Sequence, residues 1–283
     1  MALGILTNVA ATYAENNLNQ TQGSLQTVLQ QLSSGSRINS GADDAAGLAI
    51  SDGLNANEAA LTQSAQNAQN GVGLLQTADG ALSQVTNLLD RAVTLATEAS
   101  TSGLTAAQST AADTEFQSIV TEIGNIGSTT NFNSNNVFST TASNIVLTDG
   151  TTSGTTTIAA TTGALSNASV GTATGGGAGI DLSASVLTSA AAATTALGKI
   201  TDAIADVSNQ RGAIGASINQ LNAASNVASS EEVNLSSAQS SIVSTNYGQA
   251  TSDLAKYQVL SQTGISALAQ ANSVQQEILK LLQ

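Results

Sequence analysis

The chain has 283 residues, 9% of them charged and 2% aromatic, and a formal net charge of −13. An average soluble domain is about 25% charged and would hold about 14 prolines at this length, whereas this chain has no Pro, no Cys and no His. Those absences exclude a Ser-His-Asp triad, a Cys nucleophile, an ordinary zinc or copper site, iron–sulfur ligation and any disulfide.

Six Lys plus Arg cannot neutralise a run of phosphates, so nucleic acid is not an expected partner, and an anionic membrane surface is disfavoured for the same reason. No apolar run approaches the roughly 18 residues of a membrane-spanning helix. The first eight residues lack the basic stretch and long apolar stretch of a cleaved signal peptide. The expectation is a soluble, acidic protein that is not an enzyme, takes no cofactor and does not insert in a membrane.

In chain order, Leu18, Thr21, Leu25, Val28 and Leu32 start a 3,4-spaced seam that Gly35 closes as a helix C-cap. Ser40 is read as the next N-cap, with Asp43 and Asp44 in the first turn, where carboxylates favour the positive dipole end. The second seam runs through Ile50, Leu54, Leu61, Ala65, Ala68, Val72, Leu75, Ala78, Leu82, Val85, Leu89 and Ala92, and its helix is expected over 43–102, ended by Gly103. Thr105 with Gln108 forms a capping box for a third helix that buries Phe116, Ile119, Val120, Ile123 and Ile126.

From about 131 to 182 the helical spacing disappears. Ile145 to Thr148 and Thr155 to Ile158 read as a short β-hairpin around Asp149-Gly150, and 175–179 reads as a glycine linker. Beyond it, Leu197, Ile200, Ile204, Val207, Arg211, Ile214, Ile218 and Leu221 carry one helical seam, and Leu254, Tyr257, Ser261, Gly264, Leu268, Ala271, Gln275, Ile278 and Leu282 carry the last. Arg211 sits on its seam either as a register-setting ion pair or with its head in water; the sequence leaves both open. The fold class is mainly α: long antiparallel helices from both chain ends in coiled-coil-like packing, with a small β-hairpin and loop insert in the middle.

Seams rich in Ala, Ser, Gly and Thr bury little area each. At about 25 cal/mol per Å2 they leave little surplus over an ordering cost of about 1.5 kcal/mol per residue. Neighbouring subunits are the expected source of the missing burial.

The wording of the chain carries a resemblance. Leu32-Ser33-Ser34-Gly35-Ser36-Arg37-Ile38-Asn39-Ser40-Gly41-Ala42-Asp43-Asp44-Ala45-Ala46-Gly47-Leu48-Ala49-Ile50-Ser51 closely resembles the N-terminal signature of bacterial flagellins, in which Arg37, Asn39, Asp43 and Asp44 stand out. Asn67-Ala68-Gln69-Asn70-Gly71, Thr77-Ala78-Asp79-Gly80-Ala81-Leu82 and Asn131-Phe132-Asn133 resemble further blocks, as do Arg211-Gly212-Ala213-Ile214-Gly215-Ala216 and 260–272 near the end. The block at 241–250 departs from the family by losing its charges.

The resemblance implies a filament subunit, a homopolymer of many copies on an extracellular flagellum. It implies an inner coiled coil from 1–42 plus 243–283, packed through Leu18, Leu25, Val28, Leu32, Leu254, Leu268, Ile278 and Leu282. A helical rod domain from 43–135 plus 184–242 would use Leu54, Leu61, Leu75, Leu82, Leu89, Ile204, Ile214, Ile218 and Leu221, with a solvent-facing insert at 136–183. It also implies export without a cleaved signal peptide, an export chaperone, and hook-associated and cap proteins as partners. Flagellins recognised by the vertebrate innate-immune receptor present a segment similar to Leu89–Thr97; here Arg91 and Leu95 are kept, while Val93 and Thr94 replace an Arg and a Glu, so a weakened contact is implied. The hook–filament junction protein shares the terminal architecture but resembles these blocks less well, and a secreted adhesin has only the Thr/Gly-rich insert in its favour.

Overall fold

The computed structural model describes residues 8–139, 143–148, 154–173 and 177–281. Five long helices carry it: α1 (Val9–Ser34), α2 (Ala45–Ala99), α3 (Ala106–Thr129), α4 (Ala190–Val243) and α5 (Tyr247–Leu281). Between α3 and α4 lie three antiparallel strand pairs: β1 (Asn131–Phe132) with β2 (Asn135–Asn136), β3 (Ser143–Thr148) with β4 (Thr155–Ala160), and β5 (Val170–Ala173) with β6 (Gly177–Ile180).

The helix ends follow local chemistry. Asn8 caps α1, its side chain accepting from the Ala11 N–H. Gly35 closes α1 at φ +72°, a left-handed conformation that suits a residue without Cβ. Thr105 and Gln108 form the expected reciprocal capping box on α3. The second helix starts later than expected. Asp43 and Asp44 precede it, and Asp44 is the cap, its Oδ1 accepting from the Gly47 N–H at 2.8 Å. Ser40 does not cap it, because its N–H and hydroxyl both donate to the Asp43 carboxylate in the turn before. The helix also ends earlier, at Ala99, with Gly103 at φ +119° beyond it.

Two compact units emerge, one of 1–56 with 234–283, the other of 57–233. The division falls within α2 and α4. On α2 it falls after the expected boundary at 42 and on α4 before the one at 243, so it groups Leu54 with the chain ends. The insert is not a separate unit either.

In the 57–233 unit the core is built on heptad rows. Along α2 the buried row is Leu61, Ser64, Ala68, Gly71, Leu75, Ala78, Leu82, Val85, Leu89, Ala92, Ala96 and Ala99, with Leu95 buried beside it. Their steps alternate three and four, the signature of one face held against partners along its whole length. On α4, Ala193, Ala196, Ile200, Ala203, Val207, Gln210, Ile214, Leu221 and Ala228 continue the pattern. Of the seam residues expected here, Leu61, Leu75, Leu82, Leu89, Ile214 and Leu221 are buried, while Ile204 and Ile218 are half-buried against the same core. At two places burial falls one residue before the apolar side chain: on Ser64, not Ala65, and on Gly71, not Val72. The reason is a strand lying against that face. A Cβ on Gly71 would collide with Ile145 of β3 and stand 3.1 Å from Leu221 Cδ1.

The insert contributes to the same core through Leu147, Ile158, Leu165, Val170 and Leu182, and Leu187 joins it just before α4. The β3–β4 pairing places Ile145 opposite Ile158 and Thr148 opposite Thr155, as the hairpin reading requires; the Asp149-Gly150 turn lies outside the described residues. The linker reading does not hold where it can be seen. Gly177–Ile180 is strand β6, with Val170 opposite Ile180, because glycines without side chains let β5 and β6 approach closely. Gln210 reaches from α4 to donate to the Thr162 carbonyl, and Gln117 donates to the Ser185 carbonyl at 2.7 Å. Backbone hydrogen bonding of this kind leaves little sequence signal.

Candidate assembly surface

The unit formed by the chain ends is built differently. Helices α1 and α5 run antiparallel: Asn8 Nδ2 donates to the Ala271 carbonyl at 2.9 Å at one end, and the Thr245 hydroxyl reaches the Gln31 carbonyl at the other. Between them Leu18 lies over Gly264, where a Cβ would stand 3.3 Å from Leu18 Cδ1. The pairing seam uses positions 11, 14, 18, 21, 25, 28 and 32 against 250, 254, 257, 261, 264, 268 and 271, but it is shallow. Val28 is buried, whereas Leu18, Leu25, Leu32, Leu254 and Leu268 are only half-buried. Of the remaining predicted seam residues, the Ile278 side chain and Leu282 lie outside the described residues.

The turn from α1 into α2 is fastened to the turn from α4 into α5. The Arg37 N–H donates to the Val243 carbonyl at 2.7 Å, and the Thr245 N–H donates to the Gly35 carbonyl at 3.1 Å. Arg37 Nη2 donates to the Ile242 carbonyl at 2.9 Å and stands 3.9 Å from the Asp44 carboxylate. Asn39 Nδ2 donates to the Ser36 carbonyl, and Ile38 is buried beneath. Asp43 accepts from the Asn39 N–H, the Ser40 N–H and the Ser40 hydroxyl, which together hold its carboxyl below the usual carboxylate range. Arg37, Asn39, Asp43 and Asp44 therefore act locally, as caps and clasps of one joint. The Arg37 clasp grips backbone carbonyls, so it survives the loss of charged side chains at 241–250.

The terminal unit also carries most of the exposed large apolar side chains. Of thirteen exposed large apolar side chains among the described residues, nine belong to the terminal unit: Val9, Tyr13, Leu29, Ile50, Tyr247, Val259, Leu260, Ile265 and Val274. Val259 is 63% exposed and Tyr13 69%. Isolated exposed apolar residues are normal, but a concentration on one unit marks a surface that binds something.

The other unit holds two ion pairs among its described residues. Arg211 Nε donates to Asp79 Oδ1 at 2.7 Å and Nη2 to Oδ2 at 3.4 Å, so the seam arginine is paired and this contact raises its pKa. Arg91 Nε donates to Glu115 at 2.7 Å; the bond raises the pKa of the one and lowers that of the other. The implied receptor contact needs correcting at Leu95. That side chain is 3% exposed and part of the core, since position 95 lies beside the buried row of α2 and is covered with it, and only Arg91 of the pair is exposed. Among the described residues no group of His, Cys, Asp and Glu has the makings of a metal site, and no helix is long and apolar enough to cross a membrane.

Comparison with known proteins decides the family. A model of the bacterial flagellin N-terminal helical region matches residues 5–143, and one of the flagellin C-terminal helical region matches 197–282. The chain is 32% identical to a flagellin of Halalkalibacterium halodurans over 275 residues, 97% of this chain and 98% of that one. The chain belongs to the bacterial flagellin family. Other relatives include a flagellin of Listeria monocytogenes, 31% identical over 98% of each chain, and the flagellar filament 33 kDa core protein of Treponema phagedenis, 31% identical over 97% of this chain and 98% of its own. Among solved structures, Bacillus cereus flagellin is 30% identical with a TM-score of 0.46, covering 57% of this chain and 88% of its own. The two matched flagellin regions coincide with the helical parts at the two chain ends, and the stretch between them, 144–196, holds most of the strands.

Proposed function

We propose that this flagellin is the structural subunit of a bacterial flagellar filament, polymerising with many copies of itself through the terminal unit. The observation that carries the reading is the pairing of a shallow α1–α5 seam with nine exposed apolar side chains on the same unit. Half-buried leucines on both helices leave area that only further chains would cover, at about 25 cal/mol per Å2. A helical polymer of one repeating contact that does not close on itself supplies those chains. Flagellin is a structural protein family, and this chain follows it with a surface made for association.

The subunit is extracellular in this reading and leaves the cell through the flagellum's own channel, which requires it to travel unfolded. Chains whose terminal helices gain much of their burial only on assembly suit that route. A chaperone holding the apolar stripe of α5 before export, and hook-associated and cap proteins at the filament ends, are the partners that the family resemblance supplies. The test is polymerisation of the purified protein followed by electron microscopy. Long open helical filaments are the expected product; a discrete dimer or closed ring under conditions that polymerise other flagellins would refute the reading.

A further inference from the structure

Strand β3 has one edge paired with β4 and the other turned towards α2, and that second edge is not left bare. Ser64 Oγ accepts from the Thr148 N–H at 2.9 Å and approaches the Thr148 carbonyl at 3.4 Å. One turn along the helix, Asn67 Nδ2 donates to the Val146 carbonyl at 3.0 Å. Gln63 fixes the Asn67 amide by donating to its Oδ1, which turns the NH2 towards the strand. Gly71, the next position on the same row, makes the socket for Ile145. Side chains spaced three, four and seven along a helix lie on one face, so α2 presents to β3 a row of donors and acceptors in place of a neighbouring strand.

The opposite edge of the hairpin is unlike this. Main-chain groups alternate in direction along an antiparallel strand. With Val146 and Thr148 facing α2, the outward groups of β4 belong to Thr155, Thr157 and Ala159, all on exposed residues. Neither strand carries a charge or a proline, the usual devices that keep edges apart. Were both edges open, the β3 edge of one copy would add to the β4 edge of the next, and such head-to-tail addition does not terminate.

We propose that Ser64 and Asn67 form an edge seal on β3 that sets the register of the insert on α2 and prevents open-ended strand addition between copies. With that edge closed, only β4 edges remain, and two of them meet to give at most a pair. The seal is independent of the filament reading, because it concerns association through strands rather than through the terminal unit.

The experiment uses the full-length chain carrying Ser64→Ala and Asn67→Ala, with circular dichroism to verify that helix content is kept. Amide exchange at Thr148 should accelerate at least about tenfold, the loss of one protecting bond of about 1.4 kcal/mol. On concentration the double variant should form thioflavin-positive aggregates that the parent does not. Adding Thr157→Lys puts a charge on the open β4 edge; it should abolish those aggregates while Thr148 exchange stays fast. A general loss of stability would not be rescued in that way. Unchanged exchange at Thr148, absence of aggregates despite fast exchange, or aggregates that persist with the lysine would each overturn the proposal. Should the double variant lose helix content, Ser64→Ala alone, which removes the acceptor of the Thr148 N–H, carries the same test and the same outcomes.

Discussion

Replacing Val259 by Asp separates the stability of the subunit from its assembly. Val259 lies on α5 and is 63% exposed, so the free subunit gives up little packing, and an exposed substitution of this kind changes stability by within about 0.5 kcal/mol. At roughly 2–4 °C per kcal/mol for a chain of this size, the melting temperature should move by about 2 °C or less. In a filament the remaining surface of that valine is covered, contributing about 1–2 kcal/mol of the 1.5–3 kcal/mol that a fully buried valine supplies. An aspartate in its place loses that term and adds the desolvation of a carboxylate, at least another 2 kcal/mol. A combined loss of about 3 kcal/mol per subunit raises the critical concentration about a hundredfold. Thermal melts of the monomer and sedimentation across a concentration series measure the two effects separately. Polymerisation at the parent's critical concentration would refute the claim that this face of α5 is an assembly surface, and a melting temperature lowered by 10 °C would refute its exposure in the free subunit.

Leu82→Ala should behave in the opposite way: fully buried on α2, it should cost the monomer about 3 kcal/mol, read as a lowered denaturation midpoint. The Asp43 carboxyl is held low by the Asn39 and Ser40 N–H groups and the Ser40 hydroxyl, so its contribution is fully present above the unfolded carboxylate pKa of about 3.9 and is lost as pH falls through the lower folded value. Asp43→Asn should therefore differ from the parent in thermal stability at pH 7 and converge with it as the pH falls below the lowered folded value. Activation of the innate-immune flagellin receptor in reporter cells should be weak, because Val93 and Thr94 replace an Arg and a Glu and Arg91 is engaged by Glu115; potency equal to that of a flagellin with the full charged segment would contradict this. Amide exchange across Leu254–Leu268 should be fast in the free subunit and slow in the polymer, since the α1–α5 seam alone is half-buried.

Much of the helical frame is written in local spacing. Steps of three and four, with Gly35 and the Thr105–Gln108 pair as punctuation, are properties of short windows, and α1 and α3 appear where those windows place them. The family, too, was legible from the unbroken run at 32–51 and the blocks that follow it. The joint residues Arg37, Asn39, Asp43 and Asp44 were visible as a motif, but their work was not: Arg37 grips carbonyls about two hundred positions away in sequence, a pairing no local window contains.

What the tertiary structure decided follows from contacts between distant segments. Ser64 and Gly71 displace Ala65 and Val72 from the buried row because a strand from the insert needs hydrogen-bonding partners and room there. Leu95 is inside the core and Val259 outside, although both are apolar residues on long helices, because α2 has neighbours along its length and α5 has chiefly α1. The glycines at 177 and 179 act as strand, not linker, because β5 lies beside them. Arg211 is an ion pair because Asp79 lies within reach across the fold. Composition and spacing determined that the chain would be helical and in need of partners; which side chains face those partners depended on where the rest of the chain came to lie, since burial is set by neighbours in space.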